Sequence, residues 1–123
     1  MFTFDLGLLR EKHDSFRERC GFILKTSEIV EVQNIHPDPM HYFEVDDKDL
    51  EKYRDRIAAT WHTHIHDSAN LSAEDYQLFL KHPRWPHCII SSKNVWVYYV
   101  MNNKVFVTYE DSDFPWQSKE PGT

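Results

Sequence analysis

The sequence predicts an α+β fold, a mixed β-sheet flanked by helices, on three observations. Short apolar or alternating runs read as strands at 22–33, at 57–61 and at 87–109. Helical spacing of apolar residues marks 47–56 and 72–81, between those strands. Proline and asparagine pairs stand at the joints, where the chain must turn.

Taken in chain order, Leu8, Leu9, Lys12 and Phe16 have the spacing of an amphipathic first helix. Residues 22–25 and 29–33 follow as strands that pair across Thr26-Ser27 in a short hairpin. Pro37 and Pro39 then impose an extended loop before Phe43, Glu44 and Val45. Within 47–56, Leu50 and Tyr53 lead to Ile57 on one helical face, with charge on the other. The run Ile57-Ala58-Ala59-Thr60-Trp61 is a strand that delivers the chain to His62. Ser72, followed three residues later by an acid, opens a helix carrying Tyr76, Phe79 and Leu80, which Pro83 and Pro86 stop. Three more strands fall at 87–91, 95–101 and 104–109, the last two joined at Asn102-Asn103 as a hairpin. Their aromatics, Trp96, Tyr98, Tyr99 and Phe106, suit sheet core and edge. Residues 1–109 thus make the expected domain. Residues 110–123 have the charged, turn-forming composition of a flexible tail, in which Phe114 and Trp116 either pack back or dock on a partner.

Composition narrows the function classes. A chain of 123 residues with 41% hydrophobic and 15% aromatic content suits one compact core. A net charge of −6 with no Lys/Arg cluster argues against a nucleic-acid groove and leaves a protein or peptide as the expected partner. No basic segment followed by a long apolar run opens the chain, and no run of apolar residues is long enough to span a bilayer, so no membrane partner and a cytoplasmic location are expected. Cys20 and Cys88, the two cysteines, read as buried thiols in such a compartment. Cys20 beside Glu18 also admits a thiol nucleophile, but Cys-Gly running into an apolar strand fits a small core residue better.

The chemistry concentrates in His62, His64, Ser72 and Asp75, spaced H-x-H, seven residues, S, two residues, D. With 8 histidines in the chain, H-x-H alone is expected about 0.5 times by chance. A serine and an aspartate at fixed offsets lower that to on the order of 0.003, so the whole pattern carries information that its parts do not. Residues two apart on an extended backbone share a face, so both imidazoles can reach one ion. An aspartate in the first turn of the next helix can swing back over them. Two imidazoles and a carboxylate suit zinc, one per chain, and leave a fourth position for water. Ser72 and Asp75 also form a helix cap without any metal, which accounts for those two residues but not for the histidines. His66 and Asp67 fit equally a solvated loop or hydrogen-bonding support for the ligands.

Glu18-Arg19-Cys20-Gly21 before a strand, together with the H-x-H…S-x-x-D spacing, resembles the JAMM metalloproteases of the MPN superfamily. Asn34 before Pro37 and Pro39, and Phe43-Glu44-Val45-Asp46, make the chain most similar to the amino-terminal domain of lambda-type phage tail-tip assembly proteins. The resemblance spans roughly residues 5–109 and implies an MPN-type, cytidine-deaminase-like architecture. It implies His62, His64 and Asp75 as zinc ligands, Glu18 as the base that deprotonates the attacking water, and Ser72 as a hydrogen-bond donor to the oxyanion. It further implies phage tail proteins as partners. Two other readings stay open: a bacterial peptidase that processes a ubiquitin-like or sulfur-carrier protein, and a zinc-containing structural module of the tail. The chain departs from the family at Thr63 and Ile65, where serine and proline are usual, and Ile65 leaves the loop after His64 less rigid.

Overall fold

A computed structural model describes residues 5–111, and the side chains of residues 5–107, as one mixed sheet with three helices. Asp5 caps α1 (Leu6–Arg10) by accepting a hydrogen bond from the Leu8 amide, and only Leu9 of that helix is buried. The first helix is therefore shorter than the spacing of Leu8, Lys12 and Phe16 predicts. The Asp14 side chain accepts a 2.7 Å hydrogen bond from the Phe16 amide, a local turn that competes with helix and leaves Phe16 80% exposed.

The hairpin of β1 (Cys20–Leu24) and β2 (Ile29–Val32) forms as expected, with Ser27 at φ 74° in its turn. Between β2 and α2 (Asp47–Tyr53), the segment 43–45 contributes one isolated bridge, Val45 to Asn34, rather than a strand. Arg54–Arg56 is a 3-10 turn, so the expected helix over 47–56 tightens at its end. β3 (Ile57–Thr63) runs through His62, and Ser72 caps α3 (Ala73–Lys81). β4 (His87–Ile90), β5 (Val95–Met101) and β6 (Lys104–Asp111) complete the sheet. Asn102 and Asn103, at φ 55° and 61°, supply the left-handed pair that a two-residue hairpin turn between β5 and β6 requires. β6 extends two residues past the expected end of the domain, while Phe114 and Trp116 lie outside the described residues.

The strand order is β2-β1-β3-β4-β5-β6, and only β3 and β4 are parallel. A parallel pair requires a crossover, and α3 supplies it. On one sheet face Leu9 packs with Ile23, Ala59, Trp61, Ile90 and Val97. On the other, Phe22 and Trp85 pack with Leu50 and Tyr53 of α2, and Ile89 and Tyr98 with Phe79 of α3. Gly21 is obligatory on β1: a Cβ there would lie 1.9 Å from the Val30 carbonyl oxygen and 2.8 Å from the Trp61 ring. Among the described residues, no helix is long and apolar enough to cross a membrane.

Candidate metal centre

His62 stands in the middle of the sheet, paired with Cys20 on β1 and Ile89 on β4, and is 1% exposed. His64, two residues on, leaves the strand end with its amide still donating to the Ile90 carbonyl at 2.8 Å. Strand alternation and this last ladder bond aim both imidazoles at the space under the first turn of α3. Phe43 stacks on the His62 ring at 4.2 Å and fixes its plane.

Asp75 enters from α3. The Ser72 hydroxyl oxygen accepts from the Asp75 amide at 3.1 Å, and the Ser72 amide donates to Asp75 Oδ2 at 3.3 Å. The capping box thus exists as read from the sequence, and it also orients the carboxylate. Its two oxygens each face one imidazole: Oδ1 lies 3.0 Å from His62 Nε2 and Oδ2 lies 3.0 Å from His64 Nε2. Glu18 sits in the loop before β1, 7% exposed, rather than directly behind a helix. A carboxylate oxygen of Glu18 and one nitrogen each of His62 and His64 lie within 4.8 Å of one another, a group that can hold a metal ion. The structure therefore brings together all five residues singled out from the sequence. Glu18, His64, Ser72 and Asp75 line one cleft of about 510 Å³, together with Tyr42, Phe43, Gln77 and Leu78.

Two details test whether a cation fits. His64 Nδ1 must carry a proton, because it donates to the Ser68 carbonyl at 3.1 Å. The neutral ring then presents a bare Nε2 lone pair to a carboxylate oxygen 3.0 Å away, a repulsive arrangement unless a proton or a metal ion lies between them. His62 Nε2, also 3.0 Å from an Asp75 oxygen, is a buried nitrogen that makes no aligned hydrogen bond. Donor atoms around a tetrahedral zinc with bonds near 2.0–2.1 Å stand about 3.3 Å apart, close to both observed separations. The residues fit such an ion.

The electrostatics agree. Burial disfavours the Asp75 anion, but the two imidazoles outweigh it and hold the carboxyl far below its usual range. Burial lowers the pKa of His62 despite Asp75, keeping the ring neutral. For His64 burial acts in the same direction, but Asp75 and the Ser68 carbonyl prevail and raise its pKa. Glu18 is pushed up to about 8 by burial, with His64 opposing. Cys20 is pushed up to about 12, again chiefly by burial, and both cysteines are buried and free, which removes the thiol-nucleophile reading.

His66 lines the cleft but spends its Nδ1 accepting from the Ser68 amide at 3.3 Å, and Asp67 faces Lys93 at 3.7 Å. Support for His64 comes instead from the Ser68 carbonyl. Thr63, between the histidines, holds the neighbour of Glu18 from two sides: its hydroxyl accepts from the Arg19 amide and its amide donates to the Arg19 carbonyl, both at 2.8 Å. The substitution for serine retains the hydroxyl that makes this link. Reading the sequence did not reveal the roles of Phe43, Ser68 and Thr63, since each acts through a ring face or backbone contact that no motif encodes. His87, buried and stacked on Phe79, is satisfied by Thr60 and the His82 carbonyl and belongs to the core.

A sequence profile for prokaryotic homologs of the JAB domain matches residues 4–106. Among solved structures, the chain is similar to a protein of Desulfitobacterium hafniense determined in solution, at 21% identity and a TM-score of 0.57, covering 74% of this chain and 75% of that one. No curated protein matches.

Proposed function

The chain belongs to the family of prokaryotic homologs of the JAB domain, and from that premise we propose that it is a zinc-dependent peptidase or isopeptidase. In this reading His62, His64 and Asp75 hold the metal, Glu18 is the general base and Ser72 stabilises the oxyanion. The observation that carries it is the buried Asp75 carboxylate set 3.0 Å from two imidazole nitrogens, an arrangement that a proton or a cation must bridge. Bound there, zinc supplies a Lewis acid that activates water and polarises a carbonyl at neutral pH.

The chain's own groups account for the rest. Glu18, which lines the same cleft as Asp75, is a carboxyl with a pKa of about 8, which suits a group that takes a proton from the attacking water and returns it to the departing amine. Any cation at the cluster favours its ionised form. The Ser72 oxygen already accepts from the Asp75 amide, so its hydroxyl proton is available to a developing oxyanion in the cleft. Tyr42, Phe43, Gln77 and Leu78 add apolar and amide surface to the same cleft, where a peptide would lie in this reading.

The test is turnover of a randomised pool of internally quenched fluorescent peptides and isopeptides. Zinc-loaded protein should cleave members of the pool, and Glu18→Gln should lower the rate about 10²–10⁴-fold. No cleavage by zinc-loaded protein would contradict the enzymatic reading and favour a structural zinc module. As to the natural substrate, the resemblance of Asn34 and Phe43–Asp46 to phage tail-tip proteins supports a role in tail assembly. Tail proteins retained by Glu18→Gln would support that role, and a retained ubiquitin-like or sulfur-carrier protein would replace it.

A further inference from the structure

We infer that Asn34 is a positioning residue for Glu18, an inference that rests on the base role proposed above. Asn34 follows β2, and its side-chain amide makes four hydrogen bonds. Nδ2 donates to the Glu18 carbonyl at 2.8 Å and to the Tyr42 carbonyl at 3.0 Å, while Oδ1 accepts from the His36 and Glu44 amides, both at 3.0 Å. A primary amide has two N–H groups and two lone pairs, so its whole capacity is engaged.

The consequence concerns the base. Glu18 lies outside any regular element, and its backbone has no ladder to fix it. Its carbonyl is held by Asn34 and its amide donates to the Pro39 carbonyl at 2.6 Å, so both peptide groups are tied to the loop that Asn34 itself organises. On the far side, Thr63 fixes Arg19. Glu18 is thereby clamped between the end of β3 and the 34–45 loop, and Asn34 is the side chain that closes the clamp. No other side chain among the described residues bonds the Glu18 backbone. Displacing a reacting group by about 1 Å can cost on the order of 10²-fold in rate, so the clamp has catalytic weight without touching substrate.

Asn34→Asp separates the two halves of the role. It keeps the shape and an oxygen for the His36 and Glu44 amides, and it removes both donors. Amide hydrogen exchange at Glu18 should accelerate about tenfold, with His64 and the β3 and β4 amides unchanged and zinc still bound one to one. On the peptide pool, kcat should fall about 10–100-fold with KM within about twofold, and the same change placed on Glu18→Gln should cost nothing further. If the aspartate variant does not fold, Asn34→Gln, whose amide is displaced by one methylene, should give the same pattern. Unchanged exchange at Glu18, or a loss that multiplies with that of Glu18→Gln, overturns the inference. Failure of the zinc-loaded wild type to cleave anything counts instead against the peptidase reading, and the exchange measurement alone then decides whether Asn34 holds Glu18.

Discussion

At the scale of single residues, burial converts ordinary side chains into a reactive set. Glu18 shows it most clearly: its carboxyl is pushed from 4.5 to about 8, first by burial. A raised carboxyl pKa contributes stability that is fully present below the unfolded value and is lost as pH rises through the folded one. In metal-free protein, the stability of wild type relative to Glu18→Gln should therefore decline between about pH 4.5 and 8. Urea denaturation of both at the two ends of that window checks it, and parallel pH curves would contradict it. The variant comparison matters because His62, shifted the other way, gains stability over part of the same range. Ser72 has two roles that substitution can divide. Ser72→Ala removes the cap on α3 and should cost about 1 kcal/mol. Ser72→Asp keeps an acceptor for the Asp75 amide, yet places negative charge where the oxyanion forms, so it should hold most of the stability and lose turnover. Wild-type turnover in Ser72→Asp would leave Ser72 as a cap alone. His62, His64, Ser72 and Asp75 were legible in sequence because strand alternation and a helix start fix their directions locally. The role of Asn34 was not, since the carbonyls it holds are 16 and 8 residues away and no periodicity connects them.

At the scale of elements, what was legible follows the strength of the local signal. The β5–β6 hairpin is set by two asparagines that tolerate positive φ, and α3 by its capping box and the prolines beyond it. The first helix forms but ends at Arg10, and the apolar spacing that runs on to Phe16 misleads because Asp14 captures the Phe16 amide, a side-chain bond that competes with helix. The segment 43–45 pairs once only, because the Glu44 amide donates to the Asn34 side chain instead of to a strand carbonyl. β1 carries the sharpest element-level constraint. Gly21→Ala would drive a Cβ into the Val30 carbonyl and the Trp61 ring, separating β1 from β2. The substitution should cost about 3 kcal/mol or more, read from thermal or urea denaturation. A loss under about 1 kcal/mol would mean that the hairpin yields far more easily than its packing implies.

For the whole molecule, the parallel β3–β4 pair is the organising feature, because the crossover it demands brings the first turn of α3 over the end of the histidine strand. Strand order and that crossover were not legible, since they depend on pairings between distant segments; the α+β class was, because it follows from the alternation of periods alone. An ion held by residues from β3, the strand end and α3 ties these parts together and exists only in the folded chain. Saturating zinc at about 100 times its dissociation constant should stabilise the protein by about 2.7 kcal/mol. The direct test of the centre is metal stoichiometry, by elemental analysis after zinc loading and gel filtration, in four proteins. Wild type and Glu18→Gln should each hold about one zinc per chain, as three protein ligands that exclude Glu18 require. His64→Ala and Asp75→Asn should hold little. Zinc kept by Asp75→Asn and lost from Glu18→Gln would make Glu18, His62 and His64 the ligand set and contradict the assignment of Glu18 as base.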